Sequence, residues 1–321
     1  MGTDRRQFLQ ASLSGLAGAA SAPLLGALTG CQQVPSRPTV GSTTGRADAL
    51  QVVKLTERVS LISGAPGNVV VLSSSDGVTL VDSGSATLAK AVRASLGDAR
   101  VRTLFNTHYH AEQTGGNQLF GAAGAAIHAH VITRQWLATD YYVPREDRWV
   151  KALPAVALPT VTFRDKSETR AGAETIECGY LLEAHTRGDI YVFFRDSNVL
   201  AVGDVASPRR DPELDWYAGG WIGGRVDSMD VLLALAGEQT KIVPAYGEVM
   251  TRAQLQAERD MMKHFYDRTT ELTDHGRSAQ DMLAEGLMNE VNRKFEDPYR
   301  FLYDVSKGLW AHYTNFGGDI V

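Results

Sequence analysis

Three observations predict an α/β fold, a sandwich of two mixed sheets with helices outside. Two groups of short apolar runs, each run bounded by turn residues, predict two sets of strands. Each group also contains an amphipathic run at helical spacing. From about Thr251 only helical patterns remain, so we expect a main domain over residues 50–260 and a C-terminal helical extension over residues 261–321.

The first group contains the strand-like runs QVVKL, RVSLIS, NVVVLSS and GVTLVDSG at hairpin spacing. The run SATLAKAVRASLG predicts a helix, VRTLFN predicts a buried strand that ends at Asn106, and GAAIHAHVI predicts a small strand that enters a helix. In the second group, AETIECGYLLEA, DIYVFFRD and NVLAVGD predict strands, DSMDVLLALAGEQ a helix and KIVPA a last strand.

The N-terminal segment has the features of an export signal. Residues 3–10 (TDRRQFLQ) place Arg5 and Arg6 before an Ala/Gly/Leu-rich stretch, which is typical of a twin-arginine signal. Pro23 and the many Gly and Ser residues make this stretch a poor membrane-spanning helix. Because twin-arginine export carries proteins already folded, the signal favours a protein that receives a metal before it leaves the cytoplasm.

The signal ends in LTGC, which resembles a lipoprotein processing box and predicts that Cys31 is the first mature residue and is acylated. We therefore expect a signal over residues 1–31 and a flexible Pro/Ser/Thr/Gly-rich linker over residues 32–49. The protein would be held by its lipid at the periplasmic or outer face of the cell envelope. Acylation of Cys31 leaves Cys178 without a disulfide partner, and its apolar run predicts a buried core thiol.

Composition excludes one class of partner. The chain of 321 residues is 44% hydrophobic and 21% charged, with a formal net charge of −5. This balance is typical of a globular protein, and it offers no basic excess for binding a nucleic acid. A small-molecule substrate is the expected partner.

The stretch NTHYHAEQTGGN, residues 106–117, indicates a metal site. It places His108 and His110 directly after a predicted strand, where side chains two residues apart can point the same way toward one ion. His185 (in EAHTRGDI) and Asp204 (in AVGDVAS) also follow predicted strands. Three imidazoles and a carboxylate suit zinc, and they also accept iron or manganese.

Together with VDSG and VPAYGE, these motifs resemble those of the metallo-β-lactamase superfamily, over residues 50 to about 260. The resemblance implies an αββα sandwich with the metal site at the edges of the two sheets. It also implies that His108, His110 and His185 bind a first metal, and that Asp204 is shared with a second.

The chain departs from the family pattern at three positions, all belonging to the second metal. Glu112 and Gln113 stand where the family has Asp and His, and Tyr246 stands where it has the late His. A neutral amide and a phenol with an ordinary pKa of about 10 are poor metal ligands. We therefore predict a mononuclear site.

Two of these departures are candidate catalytic residues. Glu112 either orients and deprotonates a metal-bound water or serves as a hydrogen-bond partner behind the ligands. Tyr246 either donates a hydrogen bond to a developing oxyanion or fills space. Asp82 is expected to brace the site from behind, and His128 and His130 are expected to be structural.

Aromatic residues cluster in two loop-like segments, DYYVPREDRW and DWYAGGWIGG, where they either wall a substrate pocket or belong to the core. These residues are Tyr141, Tyr142, Trp149, Trp216, Tyr217 and Trp221.

The predicted function is hydrolysis of an ester, lactone or amide by a single metal ion, zinc before iron, that converts a bound water to hydroxide. Two alternatives remain open. One is a mononuclear iron oxygenase that acts on a thiol or persulfide. The other is a membrane-tethered binding protein that keeps the fold without catalysis, a hypothesis that the altered second-site positions support. The family resemblance indicates fold and metal, and does not identify the substrate.

Overall fold

The computed structural model describes residues 50–314, so the predicted signal and linker over residues 1–49 lie outside the described residues. The strands are β1 (Gln51–Lys54), β2 (Val59–Ser63), β3 (Val69–Ser74), β4 (Gly77–Val81), β5 (Val101–Phe105), β6 (Ala126–His130), β7 (Tyr141–Val143), β8 (Arg148–Val150), β9 (Val161–Phe163), β10 (Lys166–Ala171), β11 (Glu174–Tyr180), β12 (Ile190–Phe194), β13 (Val199–Gly203) and β14 (Lys241–Pro244).

The α-helices are α1 (Ala89–Ser95), α2 (Ala111–Thr114), α3 (Asn117–Ala122), α4 (Val131–Leu137), α5 (Ile222–Leu235), α6 (Arg252–Asp274), α7 (Ala279–Ala284) and α8 (Pro298–Thr314). Short 3₁₀ turns lie at Ala155–Ala157, Trp216–Ala218 and Leu287–Glu290. Among residues 50–314, no helix is both long and apolar enough to span a bilayer.

Two mixed sheets form the centre of the fold. The first has the strand order β1-β2-β3-β4-β5-β6-β9, in which β1 to β4 are antiparallel and the remaining pairs are parallel. The second has the order β10-β11-β12-β13-β14, and only its last pair is parallel. These are the mixed sheets that the sequence predicted.

The alternation of side chains along the strands produces the layers. On β3, Val70 and Leu72 face the second sheet, whereas Val69 and Val71 face α1 and α3. On β13, Ala201 likewise faces the first sheet, and its neighbours along the strand face the helices outside. The central strands therefore bury both faces, giving an order of helices, sheet, sheet and helices. Each fully buried aliphatic side chain stabilises this arrangement by about 1.5–3 kcal/mol.

The C-terminal residues form the outer layer over the second sheet. Helices α6, α7 and α8 pack with α5 in one apolar cluster that includes Met262, Phe265 and Leu302. Helix α6 begins after a Thr251 capping box, in which the threonine hydroxyl accepts from the Gln254 N–H. The predicted helical extension is therefore confirmed, although α6 continues without a break through the expected boundary at residue 260.

The structure contains strands that the sequence patterns did not predict. The segment DYYVPREDRW, expected to be loop-like, forms the β7–β8 hairpin, with Tyr142 paired to Trp149. The strand β10 was also missed, because as an exposed edge strand it reads KSETRA and lacks the apolar run that predicts a buried strand.

Candidate metal centre

Three imidazoles converge where the edges of the two sheets meet. His108 and His110 follow β5 of the first sheet, and His185 follows β11 of the second. One ring nitrogen from each lies within 4.8 Å of the others, and the rings contact one another edge to face at 4.8 Å between centroids. The structure thus brings together the three histidines that the sequence proposed as ligands.

Hydrogen bonds from behind fix the orientation of His108. The Thr107 hydroxyl donates to Asp82 Oδ2 at 2.8 Å, so its oxygen accepts from His108 Nδ1 at 3.0 Å. The proton is therefore on Nδ1, and Nε2 carries a lone pair. Nε2 of His108 is buried and has no hydrogen-bond partner among the described residues. A buried nitrogen of this kind calls for a cation or another donor.

The other two rings are held in the same way. His185 Nδ1 donates to the Glu213 carbonyl oxygen at 2.9 Å, which directs the Nε2 lone pair into the cluster. His110 Nε2 donates to Asp215 Oδ2 at 2.6 Å, which leaves Nδ1 facing the cluster. In each of the three rings, a hydrogen bond at one nitrogen fixes the tautomer, and the opposite nitrogen is the candidate ligand atom. This is the arrangement expected of metal-binding histidines.

The spacing of the nitrogens suits one tetrahedral ion. His185 Nε2 and His110 Nδ1 are 3.3 Å apart. Two nitrogens bound to one zinc at about 2.0–2.1 Å and the tetrahedral angle lie about 3.3 Å from each other. The three residues therefore fit a zinc or similar ion in donor type and lone-pair direction, and the nitrogens of His185 and His110 also fit it in spacing.

Charge at the cluster favours a cation. Burial tends to lower the pKa of His110, but the charge and hydrogen bond of Asp215 raise it to about 9. Burial also tends to raise the pKa of Asp215, whereas His110 and Arg145 hold it well below its usual range. For His108, burial and the neighbouring histidines lower the pKa. A proton and a metal ion compete for the same position between these rings.

Asp204 lies at the border of the cluster. Its Oδ2 is 3.9 Å from His185 Nε2, and its Oδ1 accepts from the Ser207 hydroxyl at 2.9 Å. Gly203 makes this approach possible, because its φ is +58° and an added Cβ would lie 2.9 Å from Thr107 Cβ. Asp204 is buried beside the three imidazoles but is not part of the tight group of ligand atoms.

Asp82, predicted to brace the site, lies behind His108. Its carboxylate accepts from both the backbone N–H and the hydroxyl of Thr107, at 2.8 Å each. Burial raises the pKa of Asp82 to about 7 despite these two bonds. The residue also has a φ of +60°, which is uncommon for aspartate and turns its carboxylate toward Thr107 at the end of β4.

The positions expected for a second metal carry hydrogen-bond donors. Gln113 Nε2 donates to the Tyr246 hydroxyl at 3.3 Å, and the Arg210 guanidinium stacks 3.6 Å from the Tyr246 ring centroid. Burial and the charge of Asp204 raise the pKa of Tyr246 above its usual range, so the phenol stays protonated. Glu112 is half-buried on α2 beside Gln113, and among the described residues it forms no hydrogen bond or ion pair.

Aromatic side chains form a wall next to His110. Tyr109 stacks on Trp136 at 4.9 Å, and Tyr141 meets both rings edge to face at 5.4 and 5.0 Å. Tyr217 lies 6.4 Å from Trp136 and completes this wall. Of the six aromatics selected from the sequence, Tyr141 and Tyr217 therefore lie near the cluster.

The other four selected aromatics make different contacts. Trp221 stacks on His312 under the C-terminal helices. Trp149 is 66% exposed and contacts Tyr142, and Trp216 packs against Tyr217.

His128, His130 and Cys178 have structural surroundings, as the sequence predicted. His130 stacks on Tyr180 at 4.1 Å and accepts from the Ile132 N–H at the start of α4. His128 packs on Phe105 within the first sheet. Cys178 is a buried free thiol whose pKa is raised to about 12 by burial.

Sequence patterns missed the network around Asp215. This fully buried carboxylate accepts from His110 Nε2, from the Tyr109 hydroxyl at 2.6 Å and from Arg145 at 2.9 Å. Arg145 is at the turn of the β7–β8 hairpin and also pairs with Glu213. An aspartate in the segment ELDW carries no local signal for this role, because its partners are far away in the chain.

The fold and the histidine cluster define an αββα sandwich with a candidate metal centre at the edges of its two sheets. Comparison with known proteins agrees. The family model described as the metallo-beta-lactamase superfamily matches residues 62–245. The chain belongs to this superfamily.

Relatives and solved structures support the same assignment. The chain is 26% identical over 203 residues to a metallo-beta-lactamase type 2 of Bacillus cereus, which spans 62% of this chain and 73% of that protein. A metallo-beta-lactamase structure from Pontibacter korlensis has a TM-score of 0.56 at 17% identity and covers 67% of this chain and 99% of its own. The sec-alkylsulfatase Pisa1 from Pseudomonas sp. has a TM-score of 0.60 at 16% identity and covers 84% of this chain and 50% of its own.

Proposed function

We propose that this chain is a mononuclear, zinc-dependent hydrolase of ester, lactone or amide bonds. One observation carries the proposal: three imidazoles, two of them buried and that of His110 partly exposed, direct lone pairs at one point while each opposite nitrogen is hydrogen-bonded to the protein. Membership of a superfamily with hydrolytic relatives supports a metal-dependent hydrolase in general. The single metal is supported by Gln113 and Tyr246, because a neutral amide and a protonated phenol are poor ligands for a second ion.

A zinc ion held by these imidazoles would act as a Lewis acid and lower the pKa of a bound water toward neutrality. Glu112 is the proposed general base, since it is a half-buried carboxylate two residues after His110 with no ion pair among residues 50–314. It would take a proton from the water as the oxygen adds to the acyl carbon, and return it to the leaving oxygen or nitrogen. The protonated Tyr246 would donate a hydrogen bond to the acyl oxygen as negative charge develops.

The test measures 4-nitrophenyl acetate hydrolysis by the zinc-loaded and chelator-treated protein. We expect activity only with zinc, and a fall in kcat of about 10²–10⁴-fold in Glu112→Gln with zinc content unchanged. Glu168→Gln, which neutralises an exposed carboxylate on β10, serves as the matched control and should keep full activity.

Activity that survives removal of the metal would contradict the proposal. So would iron content combined with oxygen consumption on a thiol substrate, because that result identifies the oxygenase instead.

We further propose export and lipid anchoring at Cys31, supported by the RR pair and the LTGC box. Cell fractionation tests this, since the native protein should be found in the membrane fraction and Cys31→Ser should be released from it. A native protein that is fully cytoplasmic would refute it.

A further inference from the structure

We propose that Arg145 is a positioning residue of the metal centre, and that it couples the docking of the β7–β8 hairpin to metal binding by His110 and His185. This inference rests on the metal centre of the proposed function and extends it to a segment outside the two central sheets. It is argued from the two ion pairs of Arg145, the attachment of the hairpin, and the balance of charge around the guanidinium.

Arg145 contacts both residues that orient two of the three candidate ligands. Its Nη2 donates to Asp215 Oδ1 at 2.9 Å, and its Nη1 donates to the Glu213 carboxylate. The other carboxylate oxygen of Asp215 accepts from His110, and the Glu213 carbonyl oxygen accepts from His185. One guanidinium therefore holds the short segment that sets the direction of both imidazoles.

The orientation of the Asp215 carboxylate depends on this contact. Asp215 is fully buried, and its Oδ2 accepts from both His110 Nε2 and the Tyr109 hydroxyl, while its Oδ1 accepts from Arg145. Without the guanidinium, a buried charged oxygen would lose a charge-assisted donor. The carboxylate would then be free to rotate toward another donor, and the bond that directs His110 would weaken.

The β7–β8 hairpin is separate from both central sheets. It forms a two-stranded sheet of its own, and such a hairpin is marginally stable without side-chain contacts to the rest of a domain. Tyr141 and Val143 pack inward, whereas Tyr142 and Trp149 are exposed. Arg145 lies in the turn between the strands, with 16% of its side chain exposed. Its ion pairs therefore join the turn of the hairpin to the segment that orients the ligands.

The charge of Arg145 by itself would oppose a metal ion. Two carboxylates, those of Glu213 and Asp215, pair with the guanidinium, so the three side chains together carry one negative charge. These pairs offset the repulsion between Arg145 and a cation and keep the directing effect of its hydrogen bonds. We therefore expect loss of Arg145 to weaken metal binding, whereas a residue that acted only through its positive charge would have the opposite effect.

The hairpin and the metal ion are expected to stabilise each other. If the docked hairpin strengthens metal binding through Arg145, a bound metal strengthens the docking of the hairpin by the same factor. Backbone hydrogen exchange over residues 141–150 should therefore slow when zinc binds, although zinc does not contact this segment.

Zinc dissociation constants, measured by competition with a chromogenic chelator, test the inference. Arg145→Gln should weaken zinc binding about tenfold. Arg145→Lys keeps the charge, but an ammonium cannot span two carboxylates with the fixed fork of a guanidinium, so it should weaken binding nearly as much. Arg148→Gln is the matched control, since it removes an exposed cation from the same hairpin, and it should change the constant less than about twofold.

A double variant shows whether Arg145 acts through Asp215. In Asp215→Asn the charged partner is already absent, so adding Arg145→Gln should weaken zinc binding by less than about threefold more. Fully multiplied effects of the two substitutions would contradict the positioning role, because they would show that the residues act independently.

Hydrogen exchange measured by mass spectrometry gives a readout that does not depend on a chelator. Zinc should slow exchange over residues 141–150 by up to about tenfold in the native chain and in Arg148→Gln. In Arg145→Gln, zinc should no longer slow it. Exchange in the native chain that is the same with and without zinc would overturn the coupling.

The outcomes separate this inference from the proposed function. Unchanged or tighter zinc binding in Arg145→Gln would overturn the inference and leave the metal centre. Equal loss in Arg145→Gln and Arg148→Gln would also overturn it, because it would indicate a diffuse charge effect. Zinc binding that depends on Arg145, without hydrolysis of any ester, would refute the hydrolase and leave the inference. A native chain that binds no zinc would refute both.

Discussion

At the scale of single residues, the candidate site consists of imidazoles whose orientation is set from behind. Thr107, the Glu213 carbonyl and Asp215 each accept a hydrogen bond from the ring nitrogen opposite the candidate ligand atom. Asp215 is the most heavily connected of the three, since it also accepts from Tyr109 and Arg145. Its negative charge makes His110 a stronger base and therefore a better ligand.

Asp215→Asn should weaken zinc affinity about 10–100-fold, because the amide cannot supply the charge that supports His110. Competition with a chromogenic chelator measures the dissociation constant directly. Asp211→Asn is the matched control, since this carboxylate on the same segment accepts from the Glu296 and Asp297 N–H groups and not from a histidine. An unchanged dissociation constant in Asp215→Asn would show that the network does not position His110.

At the scale of elements, a buried ion pair joins the helices to the loop after β13. Arg225 of α5 is fully buried, and its Nη2 lies 3.8 Å from Glu258 Oε1 of α6. The same guanidinium donates to the Ser207 hydroxyl and to the Glu213 carbonyl, and Glu258 accepts from the Ser207 N–H. The Glu213 carbonyl is also the acceptor for His185, so α5 supports a candidate ligand from behind.

Glu258→Ala should lower the free energy of unfolding by about 3–5 kcal/mol, because it leaves the Arg225 charge buried and uncompensated. Guanidinium chloride denaturation followed by circular dichroism measures the change. The control is an exposed ion pair between the same two helices. In it, two nitrogens of the Arg259 guanidinium donate to the two Asp230 carboxylate oxygens at 2.7 Å each. Asp230→Ala should cost less than about 1 kcal/mol, and equal losses for the two variants would contradict the account.

At the scale of the whole molecule, the site exists because two sheets meet at their edges. β5 supplies His108 and His110, whereas His185, Asp204 and Tyr246 follow strands of the second sheet. Gly203 allows the edges to approach, since any side chain there would meet Thr107. Neither sheet alone carries the full set, so the site depends on the whole sandwich.

The sequence predicted the parts of this arrangement that have local signals. Alternating apolar runs marked the two sheets, and histidines directly after a strand marked the cluster. The contacts of Asp215 and Arg210 could not be predicted in this way. Asp215 meets His110 across 105 positions of the chain, and Arg210 meets Tyr246 only because β13 and β14 are neighbours. Such contacts depend on packing between elements, which a local pattern does not contain.

The central claim, a single metal held by three histidines, is tested most directly by elemental analysis. The measurement is metal content per chain for protein purified without added metal, in the native sequence and in His185→Ala. The account predicts about one zinc per native chain and loss of that ion in the variant. Two ions per native chain, or no stoichiometric metal even after incubation with zinc or iron, would contradict it.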